Sequence, residues 1–132
     1  MLQKGAVEPR TLQLLEAIQA DSMFAEFHLA GGTGLALQLG HRISIDLDLF
    51  STKAFDSNLF LEHLEKEYQF VLDYRAINTL KGSIRNIKID FITHAYDLLI
   101  PIIESGSVRL YSLEDISAMK VNTITGNVTI IR

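Results

Sequence analysis

One eight-residue segment constrains this chain more than any other: ISIDLDLF, residues 43–50. Large apolar side chains alternate in it with Ser44, Asp46 and Asp48. An alternation of period two indicates a β-strand, because successive side chains of a strand point to opposite faces. Asp46 and Asp48 therefore share one face, with Cα atoms about 7 Å apart. A solvated strand face is the plain interpretation. Aspartate is depleted in strands, however, and two on one face favour a functional role.

The two carboxylates predict a cation between them. Like charges at this separation repel each other unless a positive group lies nearby. A hard divalent cation with oxygen ligands would satisfy both Asp46 and Asp48, and Mg²⁺ commonly joins one or two carboxylates to substrate phosphates. The sequence therefore favours a metal and phosphate site at this strand.

The segment GGTGLALQLG, residues 31–40, precedes the strand. Its glycines and its leucine-rich body predict a helix from Thr33 that ends at Gly40. Gly31 and Gly32 would let a ligand approach the backbone, and the N–H groups of a helix N-terminus bind phosphate. Thr33 could add a hydroxyl to such a site or cap the helix, and capping is the safer assignment. The spacing matches neither the Walker nor the dinucleotide-binding glycine pattern.

A third carboxylate occurs in NIKIDFIT, residues 86–93, where Asp90 interrupts an otherwise apolar strand pattern. A buried, unpaired carboxylate is costly, so Asp90 is expected to have a cation or a hydrogen-bond donor as its partner. Two carboxylates on one strand and one on a neighbour form a metal clamp that can also activate a hydroxyl.

The remaining patterns complete an α/β (α+β) domain with a small mixed sheet flanked by helices. Helical periodicity appears before the first strand, and strand patterns with turn residues follow the middle helix. In the last part, Ser112 and Asp115 have the spacing of a capping box. The expected elements are helices over Thr11–Phe24, 33–40, Asn58–Tyr68 and 113–125, and strands over Phe27–Ala30, 43–50, Phe70–Tyr74, 86–93 and Val108–Tyr111, with another strand that ends before a turn at Gly82.

Composition excludes several classes of function. The 132 residues include no cysteine, which excludes disulfides, thiolate metal sites and thiol catalysis. The net charge of −4 argues against a broadly basic nucleic-acid face. The segment 75–88 contains four cations and no acid: Arg75, Lys81, Arg85 and Lys88. This segment is either a solvated hairpin or a local patch that faces phosphate. The apolar runs are too short to span a bilayer, and a cytoplasmic location without membrane association is expected.

Together these motifs resemble the nucleotidyltransferase fold. More narrowly, HLAGGTGLALQLGHRISIDLDLF resembles the AbiEii/AbiGii toxin family of nucleotidyltransferases, which is linked to abortive infection and type IV toxin–antitoxin systems. The resemblance lies in the Gly-Gly-Thr turn, the leucine-rich helix and the Arg-x-Ser-x-Asp-x-Asp strand that begins at Arg42. A later helix bears Lys120 at the place of a family lysine.

The resemblance implies a Mg²⁺-dependent transfer of a nucleoside monophosphate from an NTP to an acceptor, namely tRNA or another RNA. It makes Asp46, Asp48 and Asp90 the catalytic carboxylates and the ligands of two Mg²⁺ ions. The nucleotide-binding residues would be Gly31, Gly32, Thr33, Arg42, Ser44 and Lys120.

The same resemblance implies a cognate antitoxin as partner. It also implies that residues 1–132 are a single nucleotidyltransferase-like domain from which the family's C-terminal helical part is missing. The alternative is a shortened, non-catalytic remnant that binds nucleotide or an antitoxin without turnover.

Overall fold

The computed structural model describes residues 2–40, 46–94 and 97–124. Short 3-10 turns at Lys4–Ala6 and Ser22–Phe24 accompany the longer elements. In chain order these are α1 (Pro9–Ala20), β1 (His28–Ala30), α2 (Gly31–Leu39), β2 (Leu47–Ser51), α3 (Ser57–Tyr68), β3 (Val71–Ala76), β4 (Thr79–Ile84), β5 (Ile87–Thr93), β6 (Ile103–Ser105), β7 (Val108–Leu110) and α4 (Leu113–Ile124).

The seven strands form one mixed sheet in the order β3-β4-β5-β2-β1-β7-β6. The β2–β5 and β1–β7 pairs are parallel, and the other pairs are antiparallel. The prediction of an α/β (α+β) domain with a small mixed sheet flanked by helices is confirmed. The strand that carries Asp48 lies in the middle of the sheet, between β5 and β1.

Helices α1 and α3 cover one face of the sheet, and the main core lies between these helices and the sheet. Fully buried side chains come from both helices, such as Leu15 and Leu64, and from the central strands, such as Leu49 and Phe91. Phe24 stacks on Phe91 with ring centroids 5.1 Å apart. Burial of such side chains is the main favourable term in folding, so this face anchors the central strands.

Among the residues that the structure describes, only part of the opposite face is covered. Ala30, Tyr111, Ile116 and Met119 form a second apolar cluster with Phe50 and Ile102 at its border. Because Ala30 pairs with Asp48 and therefore shares its face, α4 lies on the same side of the sheet as that carboxylate. Helix α4 covers the β1 and β7 end, whereas Tyr74 and Lys88 at the other end are exposed.

The hairpin was predicted with its turn at Gly82, and that prediction is wrong. Gly82 lies inside β4, and the two-residue turn to β5 is made by Arg85 and Asn86, both with positive φ. Such a turn matches the twist of the paired strands. A Cβ at Gly82 would collide with the Val71 carbonyl and the Phe70 ring, so this glycine permits close packing.

Other predicted element boundaries differ from the observed ones by a few residues, and one strand was not predicted. Helix α1 ends at Ala20 rather than Phe24, because Asp21 adopts an extended conformation and caps the following 3-10 turn. Strand β6 had no prediction; it pairs with β7 across a turn that contains Gly106 at φ +61°. The expected capping box is confirmed, since the Asp115 N–H donates to Ser112 Oγ at 3.0 Å.

Candidate active site

The candidate site is built on two neighbouring strands. In the parallel pairing of β2 with β5, Asp48 lies directly opposite Asp90. Paired residues share a face of the sheet and have adjacent Cβ atoms. The side chain of Asp48 is partly buried, and Asp90 is 7% exposed. The structure therefore brings together two of the three carboxylates that the sequence predicted, from segments more than forty residues apart.

Gly31 brings the start of α2 against this pair. Its φ is +64°, a conformation that favours glycine, and a Cβ built on it would overlap the carboxylate of Asp48. Helix α2 begins at this residue, directly after β1. Gly31, Gly32 and Thr33 are thus the first three helical residues, whose N–H groups lack partners within the helix. Their position suits an anionic group next to Asp48.

Thr33 has a different role from the one predicted. The N-cap of α2 is Ala30, and the Thr33 hydroxyl donates instead to the backbone carbonyl of Asp46. The side chain is 1% exposed. The assignment of Thr33 as a helix cap is therefore wrong, because the helix begins two residues earlier than predicted. This hydrogen bond connects α2 to the residue that precedes β2. It holds the backbone in place two residues before Asp48.

Asp46 stands apart from the other two carboxylates. It precedes β2, which begins at Leu47, and is exposed, so the prediction that Asp46 and Asp48 share one strand face is wrong. Within the parts of the chain that the structure describes, no three His, Cys, Asp or Glu side chains are grouped closely enough to hold a metal ion. Asp48 and Asp90 still suit a divalent cation that completes its shell with phosphate oxygens and water, since Mg²⁺ commonly uses only one or two carboxylates.

Lys88 already contacts one of these carboxylates. Its Nζ donates to Asp90 Oδ1 at 3.2 Å and to Oδ2 at 3.3 Å. The Lys88 side chain is 57% exposed, whereas the Asp90 side chain is 10% exposed. The prediction that Asp90 has a cation or donor as partner is confirmed. Lys88 lies two residues before Asp90, so the alternation of the strand could have identified it.

The basic segment divides between two faces of the hairpin. Lys81 pairs with Asp90 and with Tyr74, which places Lys81 on the candidate-site face. Arg75 pairs with Leu80, whose buried side chain faces the main core, so Arg75 lies on the opposite side. Arg85 belongs to the turn. The four cations therefore do not form one patch, and Lys81 and Lys88 are the two beside the carboxylates.

Tyr74 belongs to the same face, and sequence reasoning missed it. Register positions Tyr74, Lys81, Asp90 and Asp48 form a continuous row across four strands. Tyr74 is 56% exposed. Strict alternation from Val71 would have put Asp73 opposite Lys81, but the register shifts between Leu72 and Tyr74. Such a bulge moves the following residues to the other face, and the sequence carries no clear signal for it.

The side chains of three further residues that were predicted to bind nucleotide lie outside the described part of the structure. Arg42 and Ser44 lie outside the described residues. Lys120 falls within α4, which packs on the site side of the sheet, but its side chain is not among those described. Their assignments to nucleotide binding stay predictions.

The family of the chain is shown by a sequence-family match. Residues 13–88 match the model of the nucleotidyl transferase AbiEii toxin, type IV toxin–antitoxin system. The chain belongs to this AbiEii family. The matched region includes Asp46 and Asp48, and Asp90 follows two residues after its end.

Individual proteins are similar to this chain in sequence or in fold. Protein aq_aa25 of Aquifex aeolicus (strain VF5), which is uncharacterized, is 34% identical over 89 residues, or 66% of this chain and 43% of its own length. JHP933 from Helicobacter pylori has a similar fold, with a TM-score of 0.53 and 17% identity over 92% of this chain and 58% of that one.

A second H. pylori structure, of a candidate nucleotidyltransferase, gives a TM-score of 0.53 at 16% identity over 86% of this chain and 56% of that one. The AbiEii-family chain described here thus spans about half the length of the relatives it matches. None of its described helices is long and apolar enough to cross a membrane.

Proposed function

We propose that this protein is a nucleotidyltransferase toxin that transfers a nucleoside monophosphate from an NTP to a hydroxyl of an RNA acceptor, with tRNA as the first acceptor to test. The observation that carries the proposal is the register of Asp48 against Asp90 beside the glycine-led start of α2. Membership of the AbiEii family supports the same reaction class. A cytoplasmic location and a cognate antitoxin belong to the proposal, following from the type IV system that the family is named for.

Each residue has a definite task in the proposed reaction. The acceptor oxygen attacks the α-phosphorus, the bond from that phosphorus to the bridging oxygen breaks, and pyrophosphate leaves. The carboxylate of Asp90 accepts the hydroxyl proton. The N–H groups of Gly31, Gly32 and Thr33 face the phosphates, and Arg42, Ser44 and Lys120 supply further contacts.

Asp46, Asp48 and Asp90 would hold two Mg²⁺ ions, which supply charge neutralisation at the phosphates. Asp46 would contribute by turning its exposed side chain toward the pair formed by the other two. In this arrangement the chain's own residues position the phosphates over the carboxylates, and positioning provides much of the rate gain in phosphoryl transfer.

The direct test measures transfer of label from each α-labelled NTP to total RNA. We expect Asp48→Asn and Asp90→Asn to lower transfer by about 100-fold or more. Asp73→Asn, which neutralises an exposed carboxylate at the bulge of β3, is the matched control and should retain full transfer. Undiminished transfer in the Asp48 and Asp90 variants would refute the site. Nucleotide binding by calorimetry without any transfer would favour the non-catalytic alternative.

The acceptor surface has its own test. Lys81 lies on the face of the carboxylates and Arg75 on the opposite one, so the two cations form a matched pair. We expect Lys81→Gln to weaken RNA binding and to reduce the slope of log K against log salt by about 0.7–0.9, the value for one lost phosphate contact. Arg75→Gln should change the slope less. Equal slopes for the two variants would show that RNA does not bind on this face.

A further inference from the structure

The ion pair inside the candidate site has a consequence for metal binding. Lys88 Nζ lies within 3.3 Å of both oxygens of Asp90, so the ammonium occupies the side of the carboxylate that a cation would use. Asp90 is nearly buried and faces Asp48 in register, which places two negative groups side by side. Without a counter-charge, that arrangement would be unfavourable.

We propose that Lys88 is a resident counter-ion of the site, which neutralises Asp90 when no metal is bound and which a divalent ion must displace. This inference rests on the proposed function, because it takes a divalent ion at Asp48 and Asp90 as given. Lys88 is a positioning residue here: it keeps the carboxylate in place and sets how tightly the metal binds. It forms no bond to the metal itself.

The exposure of the two side chains makes the displacement feasible. The Lys88 side chain is 57% exposed, so its ammonium can move into water at little cost, while Asp90 stays in the strand. Water screens the exposed ammonium and weakens its hold on Asp90, and the incoming metal replaces its charge, which keeps the competition within reach of millimolar metal. An arginine at position 88 would hold the carboxylate with two donors and compete at least as well.

Lys81 provides the matched comparison. Among the described side chains, Lys81 is a second cation beside Asp90, directly opposite it on β4, but the described ammonium in contact with Asp90 belongs to Lys88. Removing either lysine deletes one positive charge near the metal. Only removal of Lys88 also deletes the contact with Asp90 that competes with the metal. The difference in metal affinity between the two variants therefore measures the cost of displacing Lys88, apart from general electrostatic repulsion.

The test is Mn²⁺ binding, measured by calorimetry without nucleotide or RNA on the wild-type chain and on Lys88→Met, Lys88→Arg, Lys81→Met and Asp48→Asn. We expect Lys88→Met to bind Mn²⁺ about three- to tenfold more tightly than wild type. Lys88→Arg should bind no more tightly than wild type, and Lys81→Met should gain about twofold at most. The Mn²⁺-induced rise in Tm should also be larger for Lys88→Met.

The outcomes separate the two proposals. If wild type shows no saturable Mn²⁺ binding, or if Asp48→Asn binds as well as wild type, the proposed metal site fails, and this inference fails with it. If wild type binds Mn²⁺ through Asp48 but Lys88→Met gains no more than Lys81→Met, the site stands and the counter-ion role is overturned.

Discussion

At the scale of single residues, Gly31 makes the sharpest prediction. Three described glycines, Gly31, Gly40 and Gly106, have φ values of +64°, +67° and +61°. A Cβ at Gly31 would overlap the Asp48 carboxylate, one at Gly40 would touch the flexible Gln3 side chain, and one at Gly106 would meet nothing within 4 Å. Gly106→Ala should cost about 1 kcal/mol of unfolding free energy, from backbone strain alone. Gly31→Ala should cost about 3 kcal/mol or more, because Asp48 must also move.

Urea unfolding of the two glycine variants measures this difference. Binding of a nucleoside triphosphate gives a second readout, because a displaced Asp48 should also weaken the site. Equal losses of stability in Gly31→Ala and Gly106→Ala would mean that Gly31 does not confine the carboxylate.

Two histidines, the buried His94 and the half-buried His28, make the stability depend on pH. Burial lowers the pKa of His94, which stacks on Phe50, and burial together with the Arg109 charge lowers the pKa of His28. Because both folded-state pKa values lie below the unfolded value of about 6.5, the unfolded chain takes up protons first as the pH falls. Stability is therefore complete above pH of about 6.5 and decreases below it.

Each histidine contributes a slope of up to about 1.4 kcal/mol per pH unit in that range. We expect His94→Gln to have a shallower dependence of unfolding free energy on pH between about 5 and 6.5, with part of the slope left to His28. Denaturant unfolding across this range provides the measurement. A slope identical to that of wild type would show that His94 takes up its proton equally in both states.

At the scale of elements, Asp115 joins α4 to the loop before β6. The carboxylate is fully buried, and it accepts hydrogen bonds from Leu99 N at 2.8 Å, Ile100 N at 3.1 Å and Ser112 Oγ at 2.9 Å. An asparagine at this position would present an NH₂ group to one of the two backbone donors. Asp115→Asn should therefore cost about 2–3 kcal/mol, whereas Ser112→Ala should cost about 1 kcal/mol.

Limited proteolysis tests the same junction. In Asp115→Asn, cleavage within residues 97–102 should accelerate, because the loop loses its anchor while the sheet keeps its own hydrogen bonds. Asp97→Asn changes an exposed carboxylate of the same loop and serves as the control. Acceleration in both variants alike would contradict an anchoring role for Asp115.

Local patterns predicted most elements, and the exceptions have physical causes. Periodicity and capping residues identified α3 and the start of α4 because these signals depend on nearby residues. The bulge between Leu72 and Tyr74 and the turn at Arg85 and Asn86 depend on sheet twist and pairing, which no local pattern encodes. Strand β6, with three residues, is too short for any periodicity.

For the candidate site, the same division applies at the scale of the whole molecule. The sequence could identify Asp48 and Asp90 as unusual strand residues, because each interrupts an apolar pattern. It could not show that the two lie in register, since that pairing joins distant segments through a parallel contact. Nor could it place Tyr74 beside them. The residue types indicated the chemistry of the candidate site. The order of the strands was needed to show that these residues lie side by side.

That order predicts how stability is distributed through the molecule. Strands β1, β2 and β5 lie inside the sheet and contribute the fully buried Leu29, Leu49 and Phe91, whereas β3 and β6 are the two edges. Amides of the inner strands should exchange hydrogen only through global unfolding, at an opening cost of about 5 kcal/mol or more, and those of β6 at roughly 0–3 kcal/mol.

Hydrogen exchange followed by mass spectrometry or NMR gives these opening free energies strand by strand. Protection of β6 equal to that of β2 would contradict the prediction. If the expected order is found, Asp48 and Asp90 lie on the most persistent part of the fold, while Tyr74 lies on an edge strand. A site arranged in this way keeps its carboxylates fixed and leaves the outer, aromatic end of the row free to adjust to an acceptor.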